Sequence, residues 1–183
     1  MKYIFDFDDV LFRTSKERGH PLFKEYQFSV IEKAGVPMSK ILEYYEKERL
    51  NQFSLKKILN HFSLPGSLYQ EIIAQSKNFI NHEVIETVKR LGSSNCIILT
   101  YGDNEFQIDK IEQSGIAPLF AKIIPVPGSK QETLEKLCRE FKDEQVIFID
   151  DSAKHFENLD PIKCVNLKTI LYTGGPLDLS PFV

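Results

Sequence analysis

The sequence predicts an α/β protein in which helices cover both faces of a parallel sheet and a helical segment follows the first strand. Short apolar runs alternate with stretches whose apolar residues recur at helical spacing. The runs are apolar at nearly every position, which is typical of strands buried on both faces. Residues 15–82, in contrast, contain no convincing strand. Together these observations predict a three-layer, Rossmann-like fold with right-handed crossovers.

Five apolar runs are the predicted strands of this sheet. They are residues 3–5, 96–99, 121–126, 146–149 and a weaker C-terminal stretch over 164–172. Helical periodicity predicts helices over 83–91, 105–114 and 130–141. Gly92 and Gly115 are natural stops for the first two of these helices.

The segment over 15–82 is predicted to be entirely helical. Its four helical patterns cover 22–34, 39–51, 55–62 and 67–79, and Ser39 and Ser67 are the predicted N-caps of the second and fourth. We assign 15–82 to a cap domain and residues 1–14 and 83–183 to the core domain. Ligands bind at the carboxyl ends of the strands in such sheets, so an insertion there is placed to act as a lid. The alternative is a helical extension of the core.

Composition excludes several classes of function. The chain has 183 residues, 42% hydrophobic and 27% charged, with a net charge of −3 and its basic residues spread out, so we expect no nucleic-acid partner. No apolar run approaches the roughly 18 residues that span a bilayer, so we expect no membrane partner. The three cysteines are widely separated and there is no leader, which favours a cytoplasmic protein. Composition predicts no particular oligomeric state.

Two of the predicted strands end in aspartates. Asp6, Asp8 and Asp9 follow the first strand, and Asp150 and Asp151 follow the fourth. Aspartates are poor strand formers and costly to desolvate, so such clusters need a partner. Carboxylate oxygens suit a hard divalent cation, and the pattern therefore predicts a Mg²⁺ site at this edge of the sheet.

Two further groups are predicted at the same edge. Thr100 ends the second strand, and Lys130 precedes the helix that follows the third strand. A hydroxyl and a lysine beside a carboxylate-bound metal match a phosphoryl group, because both can hold its charged oxygens. A carboxylate can then attack in line to give an aspartyl-phosphate. The predicted partner is therefore a small phosphorylated substrate.

The order of these groups resembles that of the haloacid dehalogenase (HAD) superfamily, in its phosphatase type with a helical cap. The four motifs of that family correspond to Asp6-Phe7-Asp8-Asp9-Val10-Leu11, Thr100, Lys130 and Asp150-Asp151. The second motif continues through Tyr101 and Gly102, and many capped members then show Q-x-x-K and a glycine, here Gln107, Lys110 and Gly115. The motifs span most of the chain.

The resemblance implies a role for each acidic motif residue. Asp6 would be the nucleophile and a Mg²⁺ ligand. Asp8 would be the general acid for the leaving group and then the base for water, with its main-chain carbonyl on the metal. Asp150 would complete the metal site, and Asp151 would act directly or through water or, alternatively, cap a helix.

The resemblance also implies a phosphate-binding set. Thr100 would hold the phosphoryl group together with the neighbouring Tyr101 and Gly102, and Lys130 would pair with the phosphoryl group and with Asp6. Lys122 and Lys110 compete for the role of Lys130. We prefer Lys130, because Lys122 lies within a predicted strand and Lys110 is expected on a helix facing away.

Two features depart from the motifs or lie outside them. The family often has glycine where this chain has Asp9, which is expected to cap the following turn, although a third carboxylate could also raise a neighbour's pKa or reach the cap. The histidines, His20, His61, His82 and His155, are expected on the solvated surface, with His20 also a candidate for facing the substrate.

We therefore predict a Mg²⁺-dependent phosphatase for a small phosphorylated metabolite. A phosphomutase of the same family and an inactive binding relative remain as alternatives. Dehalogenases of the superfamily lack the second aspartate of the first motif, so Asp8 argues against that activity. A phospho-acceptor receiver domain carries its acidic pair after the first strand and its lysine last, whereas here Asp150 and Asp151 follow Lys130.

Overall fold

Five parallel strands form one sheet in this computed structural model, which describes residues 1–16, 19–48, 53–157 and 159–180. The strands are β1 (Lys2–Phe5), β2 (Cys96–Tyr101), β3 (Lys122–Val126), β4 (Val146–Asp150) and β5 (Leu167–Leu171). Their order across the sheet is β3-β2-β1-β4-β5, and every neighbouring pair is parallel. The predicted α/β class with a parallel sheet is therefore confirmed.

Alternation along the central strands builds two apolar layers. In β1, Tyr3 and Phe5 pack into one buried cluster and Ile4 into another, as expected when successive side chains point to opposite faces. Leu134 and Leu137 cover the Ile4 face. The central strands are thus buried on both sides, which explains why their sequences are apolar at nearly every position.

Seven α-helices lie in the described part of the chain. They are α1 (Phe23–Lys33), α2 (Met38–Glu48), α3 (Leu55–His61), α4 (Ser67–Ile73), α5 (His82–Leu91), α6 (Asn104–Ser114) and α7 (Gln131–Glu140). The first four lie between β1 and α5, so the predicted helical segment after the first strand is present. Its buried side chains, such as Phe23 and Ile58, join the same apolar cluster as Phe5. The division into a core of 1–14 and 83–183 and a cap of 15–82 stays a prediction.

Some predicted helix ends are wrong. Ser39 is the second residue of α2 rather than its cap, because the helix already begins at Met38 after Pro37. Ser67 is the first residue of α4 rather than its cap, which is Gly66. The predicted helix over 67–79 is divided into α4 and a 3₁₀ turn, Ser76–Phe79. The predicted end of the second helix, at residue 51, lies outside the described residues.

The two connections between the sheet and the helical segment run side by side. The Arg13 N–H donates to the Phe79 carbonyl at 2.7 Å, and the Asn81 N–H donates to the Leu11 carbonyl at 2.9 Å. The Asn81 side chain adds a hydrogen bond from Nδ2 to the Val10 carbonyl at 3.0 Å.

Among the described helices, none is both long enough and apolar enough to cross a bilayer.

Candidate active site

The sheet topology brings three predicted site residues to one edge. Since β1 lies between β2 and β4, the residues at their carboxyl ends are neighbours. Asp6 directly follows β1, and its N–H donates to the Ile149 carbonyl of β4 at 2.8 Å. Asp150 is the last residue of β4, and Thr100 lies near the end of β2.

A buried lysine joins the two aspartates. Lys130 Nζ lies 2.8 Å from Asp6 Oδ2 and 2.7 Å from Asp150 Oδ2. All three side chains are buried, and that of Lys130 is 1% exposed. Buried charges are tolerated only when they are closely paired, so this triad is built for more than packing. Lys122, which competed for this position, pairs instead with Glu140 near the surface.

The triad shifts the pKa of each member. Burial raises the pKa of Asp6, against the opposing charge of Lys130. Burial would also raise the pKa of Asp150, but hydrogen bonds and charge from His155 and Lys130 lower it. Burial alone would lower the pKa of Lys130, but Asp6 and Asp150 outweigh the effect of burial and raise the pKa of Lys130.

One group of possible metal ligands occurs among the described residues. Carboxylate oxygens of Asp6 and Asp150 and a ring nitrogen of His155 lie within 4.8 Å of one another. The expectation that His155 is solvated surface is wrong, because its Nδ1 lies 2.7 Å from Asp150 Oδ2 and its side chain is 19% exposed. Two buried carboxylates fit Mg²⁺, which prefers oxygen ligands.

The other two predicted metal ligands lie outside this group. The Asp151 carboxylate pairs with Lys16, and the Asp8 carboxylate faces α6 instead. Their roles at a metal stay predictions. His20, His61 and His82 are exposed, as expected.

Thr100 has an unsatisfied hydroxyl. The residue is fully buried, and its Oγ1 has no hydrogen-bond partner among the described residues. A buried hydroxyl without a partner is costly, since it loses its hydrogen bonds to water. Such a group at a strand end is available to a ligand oxygen.

Asp8 is held by donors that the sequence interpretation mostly missed. Lys110 Nζ lies 2.6 Å from Asp8 Oδ1, and Gln107 Nε2 donates to Asp8 Oδ2 at 2.8 Å. The Thr14 hydroxyl also donates to Oδ1. The expectation that Lys110 faces away is wrong, because its side chain is 2% exposed. The i, i+3 spacing of Gln107 and Lys110 could have placed them on one helix face.

These donors determine the charge state of Asp8. Burial alone would raise its pKa, but the charge and hydrogen bond of Lys110 outweigh burial and, with the hydrogen bonds from Thr14 and Gln107, lower it. The protein without substrate therefore favours the carboxylate form of Asp8.

Tyr101 and Gly102 both help to place the Gln107 side chain beside Asp8. The Gly102 N–H donates to the Val126 carbonyl at 3.0 Å, so this predicted phosphate-binding amide is already used. The φ of Gly102 is +143°, and a Cβ there would lie 2.8 Å from Gln107 Nε2. The Tyr101 carbonyl accepts a hydrogen bond from the same Nε2 at 3.0 Å. Gly102 therefore leaves room for the Gln107 side chain.

Asp9 caps the turn that follows it, as predicted. Its Oδ1 accepts hydrogen bonds from the N–H groups of Thr14, Ser15 and Lys16 at 3.0, 2.6 and 3.1 Å. Its own backbone has a φ of +59°. This tight turn places Asp8 over α6.

Two cavities flank the turn at residues 7–12. A cavity of about 230 Å³ lies between the helical segment and the sheet edge, and Asp8, Gln107 and Lys110 are among its lining residues. A larger one, of about 580 Å³, is lined partly by Asp9, Asp151 and the loop after β5. The smaller cavity therefore contains the Asp8 side of the site.

Several solved structures share the architecture of this chain. A protein named as a haloacid dehalogenase-like hydrolase from Burkholderia xenovorans has a TM-score of 0.70 at 16% identity, covering 94% of this chain and 82% of its own. A protein named as a beta-phosphoglucomutase from Thermotoga maritima has a TM-score of 0.61 at 17% identity, covering 96% and 88%.

A third match is the HAD-hydrolase YfnB from Bacillus subtilis in a magnesium-bound structure. Its TM-score is 0.52 at 14% identity, and the coverage is 94% of both chains. Dehalogenase structures match as well. No protein-family model matches the sequence, and no curated protein sequence matches it. At these identities the similarity concerns the architecture, and the chain has the fold of the HAD superfamily.

Proposed function

We propose that the protein is a Mg²⁺-dependent phosphatase that hydrolyses a small phosphorylated metabolite through an aspartyl-phosphate on Asp6. The observation that carries this proposal is the buried triad of Asp6, Lys130 and Asp150 beside a second carboxylate, Asp8. The Asp6 carboxylate suits a nucleophile, and the Asp8 carboxylate suits proton transfer. The unsatisfied hydroxyl of Thr100 supports a phosphoryl group as the ligand.

In the first step, an oxygen of Asp6 attacks the phosphorus and the bond to the leaving oxygen breaks. Asp8 gives its proton to that oxygen, so the product leaves as a neutral alcohol. The negative charge of the bound phosphoryl group raises the pKa of Asp8 and so favours its protonation before this step. Lys130 neutralises the phosphoryl oxygens and Asp6.

In the second step, the Asp8 carboxylate takes a proton from water. The water oxygen attacks the phosphorus, the bond to Asp6 breaks, and inorganic phosphate is released. Mg²⁺ held by Asp6 and Asp150 would add a second positive charge against the phosphoryl oxygens.

The cavity of about 230 Å³ next to Asp8 supports a small substrate rather than a nucleic-acid polymer.

All three cysteines are unpaired and buried, which supports the proposed cytoplasmic location.

The test is phosphate release from a panel of small phosphomonoesters, with Mg²⁺ and with EDTA. We expect release that requires Mg²⁺ and falls by about 10³-fold or more in Asp6→Asn. The matched control is Asp143→Asn, since Asp143 is exposed in the loop before β4. Release that persists in EDTA or in Asp6→Asn would contradict the proposal.

A phosphomutase is the second candidate, supported by the similarity to the protein named as a beta-phosphoglucomutase. A mutase returns the phosphoryl group to another hydroxyl of the sugar instead of to water. Positional isomers of a hexose phosphate, measured in the same reactions, distinguish the two: isomerisation without phosphate release favours the mutase.

A further inference from the structure

Lys110 is a buried charge that the proposed mechanism does not use. Its side chain is 2% exposed, and its Nζ lies 2.6 Å from Asp8 Oδ1. Burying a lysine is costly unless it is paired, and this one is paired with the carboxylate proposed to transfer protons. The pair joins residues 102 positions apart in the chain.

Three aromatic rings surround the Lys110 ammonium group. The ring centroids of Phe7, Phe12 and Phe106 lie 5.2, 5.4 and 4.9 Å from its Nζ. A cation near ring faces is attracted to them, and the attraction increases when water is excluded. The rings thereby restrict where Nζ can lie, and the restricted cation in turn fixes Asp8 Oδ1.

Gln107 fixes the other oxygen of the same carboxylate. Its Nε2 donates to Asp8 Oδ2 at 2.8 Å and to the Tyr101 carbonyl at 3.0 Å. Gln107 and Lys110 lie one turn apart on α6, so one helix face supplies two of the three side chains that hold the Asp8 carboxylate, the third being Thr14.

We propose that Lys110, assisted by Gln107, is a positioning residue that orients Asp8 for proton transfer. The inference rests on the proposed function, because it concerns the acid and base of that reaction. Lys110 lines the cavity, but its Nζ is enclosed by Asp8 and three aromatic rings, which favours an action through Asp8 over direct contact with substrate.

The first test is the kinetics of Lys110→Met, which keeps most of the length of the side chain and removes its charge. We expect kcat to fall about 10- to 100-fold with little change in KM, because a misplaced catalytic group slows the reaction without weakening binding. The loss should be larger with an alkyl phosphate than with p-nitrophenyl phosphate, whose leaving group needs little protonation. If Lys110 had only a structural role, its loss would lower kcat by the same factor with both substrates.

The control and a second variant keep the test decisive. Lys122→Met removes a lysine that is paired near the surface and should leave kcat unchanged. If Lys110→Met fails to fold, Gln107→Leu should show the same dependence on the leaving group. A rise in KM at unchanged kcat would overturn the inference in favour of substrate contact, and equal losses with both substrates would overturn it in favour of a structural role.

A measurement of stability tests the pairing without any activity. In wild type, Lys110→Met leaves Asp8 without its cation and should lower the Tm by about 5 °C or more. In an Asp8→Asn background the same change removes an unpaired buried charge and should leave the Tm unchanged or raise it. Equal losses in both backgrounds would overturn the inference. If the Tm pattern holds but no phosphomonoester is hydrolysed, the proposed function has failed and the pairing has not.

Discussion

Two lysines are buried among the described residues, and the carboxylates around them differ in number. Lys130 lies between two, Asp6 and Asp150, whereas Lys110 faces only Asp8. The other side chains that donate to Asp8, Gln107 and Thr14, are neutral. The first cluster therefore has one carboxylate more than it has lysines, and the second has one of each.

This difference fits two different roles in the proposed reaction. A cluster in which carboxylates outnumber lysines can hold a further cation, which fits the proposed metal position. A balanced pair holds a single carboxylate in place and needs no cation, which fits a group that transfers protons. The two proposed reacting carboxylates also differ in the direction of their pKa shifts, because burial raises the pKa of Asp6, whereas Lys110, Thr14 and Gln107 together lower the pKa of Asp8.

The largest expected effect comes from removing the shared cation. Lys130→Met leaves two carboxylates buried together and should reduce the free energy of unfolding by about 3–5 kcal/mol in EDTA. Mg²⁺ should then raise the Tm of this variant more than that of wild type, because the added cation replaces the lost charge. Thermal unfolding with and without Mg²⁺ measures both. If Mg²⁺ instead has its largest effect on Lys110→Met, the division between the two clusters fails.

Neutralising one aspartate in each cluster should have a smaller effect on the Tm, and the effect should have opposite signs at Asp6 and at Asp8. The folded protein raises the pKa of Asp6, so ionising it costs stability above about pH 4, and Asp6→Asn should raise the Tm at pH 7 in EDTA. The pKa of Asp8 is lowered, so its carboxylate contributes stability above about pH 4 that is lost as the pH falls through the folded value. Asp8→Asn should therefore lower the Tm at pH 7.

Thermal unfolding of both variants in EDTA, from about pH 3 to pH 8, measures this contrast. Both differences from wild type should shrink towards the acid end, where the two carboxyls are protonated in either state. Shifts of the same sign at pH 7 would refute the contrast.

The smallest expected effect concerns Gly102. An added methyl group would lie 2.8 Å from Gln107 Nε2 on a backbone with a φ of +143°. Gly102→Ala should therefore displace Gln107 from Asp8 and lower kcat about tenfold. Gly128→Ala is the matched control, because a Cβ there meets nothing within 4 Å. Unchanged kcat in Gly102→Ala would show that the position of Gln107 is unimportant.

The sequence predicted one of these two clusters much better than the other. Asp6 and Asp150 were predicted because each follows an apolar run, and the carboxyl ends of adjacent parallel strands must meet. Lys130 was preferred because Lys122 was expected within a strand and Lys110 on a helix facing away, and Lys130 directly precedes α7, the helix between β3 and β4. In each case the position along a strand or its connection determines the position in space.

Lys110 and His155 were missed for a different reason. Whether a residue on α6 faces the sheet edge depends on the rotation of that helix, which its packing against the rest of the protein determines and its sequence alone does not. His155 lies in a 3₁₀ turn, Ala153–His155, whose direction no periodic pattern predicts. The Ser39 cap was misplaced by two residues, because α2 begins at Met38 and its cap position is Pro37.

The side-by-side connections at residues 10–13 and 79–81 have a consequence for how this chain can vary. Because the chain leaves and rejoins the core at nearly one point, the ends of the helical segment are already close together, and closing them with a shorter loop costs little entropy. Insertions, deletions or exchange of helices within this segment therefore need not disturb the register of the strands. The helical segment can therefore change in length and shape while the sheet edge that carries the charged groups stays the same.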